Sequence, residues 1–315
     1  MGIQHLNNYI KKNTKPGSTT KITFTELSNK VIAIDTSIYL YKYLTNDNLL
    51  ESMYLMISLF KKHNIIPIFV FDGAPPKEKE TIIKKRQNDK LLAKQKCEQL
   101  QEQLINSTDI VEQTNLGESI KNLKRRCIKL RKHDIEKVRN LMDAFGVYSI
   151  EAPGEADELC AKLVISKIAY ACLSEDMDLF LYGCPRVLRY LSLTNSTFII
   201  YYLDKILNDL KFTFKEFKEI CVVSGSDYIA NNVFNLYNIL KYYKEYKDSH
   251  DSQDFYIWLY NYINIKIDLN ELNSAYLMYE VSSNKLHINM NELIKKTNHN
   301  KIKEIMTPEG FIFVE

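Results

Sequence analysis

Residues 31–35, VIAID, and residues 65–72, IIPIFVFD, decide the fold class of this chain. Each run is apolar and ends in an aspartate, which is typical of a buried parallel strand that stops at the edge of a sheet. Between the two runs, residues from about Leu49 to His63 show apolar positions at helical spacing. Strand, helix and strand in this order predict an α/β fold with a mainly parallel central sheet flanked by helices.

The same alternation continues along the chain. Further strands are predicted at GVYSI (146–150) and IAYACLSED (168–176), with a strand pair at VLRYLSL (187–193) and TFIIYYL (197–203). Helices are predicted at 77–105, 120–145 and 213–224, after APGEA in 152–164, and through most of 230–315, with a loop at 106–119.

Length, composition and charge indicate how many domains the chain can form and which partners it suits. The chain has 315 residues, 45% of them hydrophobic, and a net charge of +3, which suffices for one large domain or two small ones. Residues 77–96 contain eight Lys or Arg against three acids, and residues 121–139 contain nine against two. These basic runs favour a polyanionic substrate, although two solvated helix faces would give the same counts.

The six cysteines form no CxxC pair and no Cys/His group with zinc spacing. Scattered single cysteines in apolar segments are typical of buried thiols in a reducing compartment. The sequence has no apolar run of membrane-spanning length and no signal-peptide core. We therefore expect a soluble, intracellular protein without a membrane partner.

Acidic residues follow the predicted strands and turns in five short motifs, AID (33–35), FVFDGAPP (69–76), APGEAD (152–157), SEDMD (174–178) and SGSDY (224–228). Like charges repel, so such a set is stable only when cations neutralise it. Oxygen ligands without Cys or His suit Mg²⁺, and Mn²⁺ as a substitute. The pattern predicts a two-metal site that hydrolyses phosphodiester bonds, although each acid alone could be a turn or helix-cap residue. The predicted metal ligands are Asp35, Asp72, Glu155, Asp157, Asp176, Asp178 and Asp227.

These motifs resemble those of the flap endonuclease/XPG family of structure-specific 5′ nucleases. AIDTSIYLY and FVFDGAPPKEK resemble its first two acidic motifs, EAPGEADELCAKLV and SEDMDLFLYG its paired-acid motifs, and SGSDY its last one. The resemblance spans roughly the first 230 residues and implies a PIN-like 5′-nuclease fold with a helical arch. It divides the chain into a nuclease core at 1–230, with the arch at about 77–134, and a helical C-terminal region at 231–315 packed on the same domain.

The resemblance also implies roles for four residues outside the acid set. Lys79 and Arg86 match the catalytic basic pair, and their spacing of seven residues puts both on one face of a helix. Both could then stabilise the charge that develops on a phosphate, although alone they would pass for surface cations. Tyr41 matches a tyrosine that stacks on a base, or it is a core tyrosine. The MGIQHL start adds Gly2 to the expected substrate contacts.

The sequence departs from the family after the last acid. The Gly-Ile-Gly turn of the family's helix–turn–helix aligns with Phe234-Asn235-Leu236, and its following basic residues with Tyr237 and Asn238. Without glycines a backbone approaches phosphates less closely, so the resemblance does not carry a K⁺ site here. Lys241, Lys244 and Lys247 are the alternative cations for duplex DNA. The EGFIFVE end lacks a sliding-clamp peptide, and we expect a monomer.

The expected function is that of a Mg²⁺-dependent hydrolase acting on DNA with a single-stranded 5′ end, at flaps, gaps or nicks, in replication, repair or recombination. The expected mechanism is in-line attack by an activated water, with two metals about 3.5–4 Å apart. If the resemblance holds, the protein is expected in the nucleus or at a site of viral DNA replication. Three alternatives stay open: a 5′–3′ exonuclease without flap preference, an inactive DNA-structure-binding scaffold, and an RNA-directed nuclease of the PIN-like group.

Overall fold

The structure is a computed structural model of the 315-residue chain. It describes residues 3–107, 109–229, 234–263, 268–284, 286, 288–289, 292–293 and 295–313.

In the described residues one seven-stranded sheet forms the centre of the molecule, in the order β1-β7-β6-β5-β2-β3-β4. The five strands from β6 to β4 are parallel, and β7 runs antiparallel to both β6 and β1. This confirms the predicted mainly parallel sheet and the predicted strand pair at its side. The strands are β1 (Thr19–Thr23), β2 (Val31–Asp35), β3 (Ile66–Phe71), β4 (Tyr148–Glu151), β5 (Ala171–Leu173), β6 (Arg186–Ser192) and β7 (Thr197–Tyr202).

Helices cover both faces of this sheet. They are α1 (Leu6–Asn13), α2 (Thr36–Leu44), α3 (Leu49–Lys62), α4 (Glu80–Asn106), α5 (Ile110–Cys127), α6 (Lys132–Phe145), α7 (Ala156–Ile165), α8 (Leu203–Leu210), α9 (Phe214–Val223), α10 (Leu236–Ser249), α11 (Phe255–Ile263), α12 (Leu269–Leu277) and α13 (His299–Met306). No helix in the described ranges is long and apolar enough to cross a membrane.

Side-chain alternation along the strands creates two cores, one on each face of the sheet. In β2, Ile32 and Ile34 join the core that also holds buried residues of α3 and α6, whereas Ala33 joins the core beneath α7 and α9. Successive side chains of a strand point to opposite faces, so an apolar run such as VIAI supplies both cores. Because both faces are covered, the site is left to the ends of the strands.

Helices α4 and α5 form a hairpin with a small core of its own, which includes Ala93, Cys97 and Ile120. The helix predicted at 77–105 is confirmed from Glu80 onward by α4, whereas Lys77–Lys79 form a short 3-10 turn, so Lys79 immediately precedes the helix that carries Arg86. The loop predicted at 106–119 is wrong, because α5 begins at Ile110. Asp109 caps α5 by accepting a hydrogen bond from the Val111 backbone N–H. The single helix predicted at 120–145 is also wrong, since α5 ends at Cys127 and α6 begins at Lys132.

The helices of the C-terminal region pack in sequence on the core. Helix α10 packs on α9, α11 on α10, and α12 on both α9 and α11, while α13 packs on α6. Strand β1 and helices α1, α2 and α8 were not predicted from the sequence. Each is short, and their tertiary contacts stabilise them more than local propensity does.

Candidate active site

Four of the seven predicted carboxylates lie where the chain leaves the carboxyl edge of the parallel strands, and the other three lie at helix ends. Asp35 ends β2, Asp72 follows β3, and Asp176 with Asp178 follows β5. Glu155 and Asp157 stand at the N-terminus of α7, and Asp227 follows α9. Parallel strands place their ligand sites beyond this edge, so the fold gathers acids that are far apart in sequence.

Asp35, Asp176 and Asp178 form the buried side of the set, each with less than a tenth of its surface exposed. The Ser174 hydroxyl donates to Asp35 Oδ2 at 2.8 Å, and the Asp178 backbone N–H donates to Asp176 Oδ1 at 3.1 Å. Burial, followed by the charge of Asp72, raises the pKa of Asp35 to about 7. Burial and the neighbouring acids also raise the pKa values of Asp176 and Asp178.

Two buried carboxylate oxygens, Asp157 Oδ1 and Asp178 Oδ1, have no hydrogen-bond partner in the described part of the protein. Burial first, and then the charges of Asp35 and Asp176, raise the pKa of Asp157 well above its ordinary value. Buried acceptors normally have partners, and close anions need a cation. Carboxylate oxygens of this kind are the donors that a hard divalent cation such as Mg²⁺ prefers.

Lys79 and Arg86 join the remaining acids in a charged network. Lys79 Nζ lies 2.7 Å from Glu155 Oε1 and 3.9 Å from Asp227 Oδ2. Arg86 Nη2 donates to Asp227 Oδ2 at 2.6 Å. Burial alone would lower the pKa of Lys79, but the charge and hydrogen bond of Glu155, together with the charges of Asp227 and Asp178, outweigh burial and raise that pKa. Both cations of the predicted basic pair thus lie beside the acid set.

No group of three or more His, Cys, Asp or Glu side chains in the described ranges is arranged so that it could hold a metal ion. Glu155 and Asp227 contact the cations of the chain instead. The assignment of the seven acids as metal ligands stays a prediction.

Asp72 connects the two loops that carry Glu155 and the end of β3. Its Oδ1 accepts a hydrogen bond from the Ala156 backbone N–H at 2.9 Å, which caps the first turn of α7. At Gly73 a Cβ would lie 2.0 Å from the Ala152 carbonyl oxygen, so only glycine allows this approach. The GAPP and APGE motifs therefore form one rigid corner of the site.

Of the two predicted substrate contacts, one can be placed. Tyr41 lies on α2 and is 42% exposed. It is therefore not the core tyrosine that the sequence left open as an alternative. It lines a cleft of about 550 Å³ together with Asp72 and Arg139, and Lys90 Nζ lies 5.5 Å from its ring centroid. Gly2 lies outside the described residues.

Three residues at the site were not predicted: Ser174, Tyr228 and Tyr279. Tyr228 donates to Glu155 Oε2 at 2.6 Å, and Tyr279 donates to Asp178 Oδ2 at 2.9 Å. Burial, followed by the charge of Asp178, raises the pKa of Tyr279, so its hydroxyl keeps the proton that it donates. Ser174 and Tyr228 stand inside the acidic motifs, which was a usable signal, whereas Tyr279 had none.

The helix–turn–helix departure has a clear structural consequence. Leu236, at the position of a family glycine, begins α10 and is buried in the core, while the turn residues 230–233 lie outside the described residues. Of the three alternative cations, Lys247 contacts Glu216 at 2.6 Å and Lys241 lies 3.9 Å from Glu245, whereas Lys244 is exposed.

Two family models match the chain: the XPG N-terminal domain over residues 1–93 and the XPG I-region over residues 146–227. A flap endonuclease 1-A of Oryza sativa subsp. japonica is 31% identical over 72% of this chain and 62% of the relative. A probable RAD2-like endonuclease of Invertebrate iridescent virus 6 is 28% identical over 73% of this chain and 68% of the relative. The chain belongs to the flap endonuclease/XPG family.

Solved structures share the fold at low identity. The catalytic core of Rad2 in complex with DNA substrate has a TM-score of 0.69 and 18% identity, covering 98% of this chain and 96% of that chain. Flap endonuclease-1 from Methanococcus jannaschii has a TM-score of 0.63 and 20% identity, covering 98% and 93%. These similarities confirm the predicted 5′-nuclease fold. The chain spans 60% and 62% of the length of two curated flap endonuclease relatives.

Proposed function

We propose that the protein is a Mg²⁺-dependent nuclease that cleaves DNA at 5′ flaps, gaps or nicks in replication, repair or recombination. The observation that carries this proposal is the acid set at the strand edge, in which two buried carboxylate oxygens lack a partner in the described residues and two further acids contact Lys79 and Arg86. Family membership and relatives named flap endonuclease support the same activity.

The buried acids would hold the metal ions, and the two cations would act on the substrate. Asp35, Asp157, Asp176 and Asp178 are the ligands favoured by their burial and raised pKa values. When bound, two Mg²⁺ ions supply Lewis-acid activation of water and neutralise phosphate charge, and Mn²⁺ is expected to substitute. Lys79 and Arg86 lie at the rim of this set and would stabilise charge that develops on the phosphate.

The wider molecule suits a DNA substrate that carries a single-stranded 5′ end. We assign a nuclease core to residues 1–230, with the arch at about 77–134, and a helical C-terminal region to 231–315. The exposed Tyr41 would stack on a base beside the cleaved bond. We expect a monomer in a reducing compartment, in the nucleus or at a site of viral DNA replication.

The substrate test is cleavage of a 5′-labelled double flap and a 5′-labelled nicked duplex with Mg²⁺ or EDTA, with and without K⁺. Release of the whole flap with Mg²⁺, independent of K⁺, supports the proposal. Single-nucleotide products from both substrates would favour a 5′–3′ exonuclease, an alternative motivated by Leu236 in place of a family glycine. Binding without cleavage would favour a scaffold, and preference for RNA flaps an RNA-directed nuclease.

The site test is Asp178→Ala. We expect cleavage to be abolished because a metal ligand is lost. Binding of the flap DNA, measured by fluorescence anisotropy, should stay unchanged, because the buried Asp178 side chain offers little surface to the DNA. Asp204→Ala, on α8, is the matched control and should cleave like the wild type. Retained cleavage by Asp178→Ala would refute the assignment of the site.

A further inference from the structure

Tyr279 reaches the candidate site from the C-terminal region. It follows α12 and is only 2% exposed. Neither matched family segment, 1–93 or 146–227, includes it. A buried tyrosine hydroxyl normally needs a hydrogen-bond partner, so the identity of that partner is informative.

The partner of Tyr279 is an acid of the predicted metal site. Its hydroxyl donates to Asp178 Oδ2 at 2.9 Å across 101 positions of sequence. The other oxygen, Asp178 Oδ1, is buried without a hydrogen-bond partner in the described ranges. One oxygen of the carboxylate is therefore held by the tyrosine, and the other is left for a ligand.

Packing fixes the direction from which Tyr279 donates. Its ring makes edge contacts with Tyr182 and Tyr228, both at 5.1 Å between centroids. Tyr228 in turn donates to Glu155 Oε2. Helix α12 is held on α9 through buried residues that include Leu272 and Ala275. The ring that carries the hydroxyl is thus held between packed aromatic neighbours.

We propose that Tyr279 is a positioning residue for the metal site, which orients Asp178 so that Oδ1 faces the ion. This inference rests on the proposed function. Partners that hold a metal ligand by its second oxygen typically change metal affinity by about 10- to 100-fold when removed. It follows that the helices after residue 230 complete the metal site, in addition to any contact that they make with DNA.

The test is Tyr279→Phe, which removes the hydroxyl and keeps the ring. Titration calorimetry with Mn²⁺, without DNA, should show metal binding weakened by about 10-fold or more. Cleavage should need correspondingly more Mg²⁺, with KM for the flap DNA unchanged and kcat restored at high Mg²⁺. Tyr256→Phe is the matched control, because it removes a buried hydroxyl that donates to the Glu219 carbonyl at 3.2 Å, away from the acids.

A second variant separates positioning from loss of packing. Ile302→Ala, on α13, opens a cavity in the core on the opposite face of the sheet from Tyr279, so it should lower Tm while metal affinity stays within about twofold of the wild type. The inference is overturned if Tyr279→Phe binds Mn²⁺ as the wild type does, or if Ile302→Ala weakens binding equally. Wild-type protein that binds no Mn²⁺ and cleaves nothing would overturn the proposed function itself, and this inference with it.

Discussion

At the scale of single residues, Lys79 is the cation that compensates Glu155. The two side chains are 11% and 22% exposed and lie 2.7 Å apart, so solvent screens their charges only partly. Lys79 Nζ also lies 4.5 Å from the Tyr228 ring centroid. Removing Lys79 from this pair would leave the Glu155 carboxylate poorly compensated.

Lys79→Met should therefore affect both stability and catalysis. We expect the free energy of unfolding in EDTA to fall by about 1–3 kcal/mol. This loss of stability should be smaller in Mg²⁺, because bound cations would compensate the acids. Cleavage of flap DNA should fall by about 100-fold or more. Thermal denaturation in EDTA and in Mg²⁺, with single-turnover cleavage, measures these effects.

Lys77→Met is the control for Lys79→Met, since Lys77 lies in the same turn and is exposed. It should match the wild type in both assays. Equal stability losses for Lys79→Met with and without Mg²⁺ would contradict the idea that the lysine and the metals neutralise the same acids.

The sequence predicted the acids but not their partners. An aspartate at the end of an apolar run, such as Asp35 or Asp72, has a local signal because the strand and its end are both visible in sequence. Tyr279 has none, because its role depends on how α12 packs on α9. Contacts across about a hundred positions need the tertiary fold, which one sequence does not reveal.

At the scale of helices and strands, the error at 106–119 has a physical explanation. Residues 106–119 are mostly polar and include Gly117, a composition that favours a loop by propensity. Ile120 and Leu123, further along α5, are buried against α4, and this packing, with the Asp109 cap, outweighs the weak propensity. A helix stabilised by its partner is poorly predicted from its own residues.

Helices α9 and α10 are joined by an ion pair whose strength depends on pH. Lys247 Nζ donates to Glu216 Oε1 at 2.6 Å, and Glu216 Oε2 accepts from the Thr213 backbone N–H. Burial would raise the pKa of Glu216, but the hydrogen bond from Lys247, then that from Thr213, lowers it from 4.5 to about 2. Since the folded-state pKa is depressed, the stabilisation is complete above about pH 4.5 and is lost as pH falls towards 2.

Lys247→Met should lower stability at pH 7 by about 0.5–1 kcal/mol, a modest loss because Lys247 is exposed and solvent screens the pair. The Tm difference from the wild type should narrow as pH falls from about 5 to 2, where Glu216 becomes protonated. Lys244→Met, an exposed position on the same helix, is the control and should show no such pH dependence. The measurement is thermal denaturation from pH 7 to pH 2. A Tm difference between Lys247→Met and the wild type that stays constant over this range would contradict the stabilising role of the Lys247–Glu216 ion pair.

At the scale of the whole molecule, the sequence predicts the mainly parallel sheet but not its edge strand β1. Residues 19–23, TTKIT, have only one buried side chain, so the strand lacks the apolar run that identified β2 and β3. It forms because the edge of β7 offers backbone partners from Thr197 to Tyr201. Edge strands are weakly encoded in sequence for this reason.

Charge is segregated along the α4–α5 hairpin, which no single helix reveals. Residues 97–120, around its tip, contain five acids and no Lys or Arg. The basic residues lie near its root, and Lys121, Lys124 and Arg125 line a groove of about 660 Å³ beside residues 45–47. Under the proposed function, single-stranded DNA should contact the root and avoid the acidic tip, because only the root attracts phosphates.

Replacing Lys121, Lys124 and Arg125 together with Ala should weaken binding of flap DNA and flatten its salt dependence. Each lost phosphate contact on a single strand lowers the slope of log K against log salt by about 0.7, so we expect a change of about 2. Glu102→Ala with Glu118→Ala, two exposed acids of the tip segment, is the control and should leave the slope unchanged. Anisotropy titrations across a range of salt measure both slopes. The control shows whether any change of charge on this hairpin alters the slope of log K against log salt. If the triple variant has the same slope as the wild type, DNA does not contact the root of the hairpin.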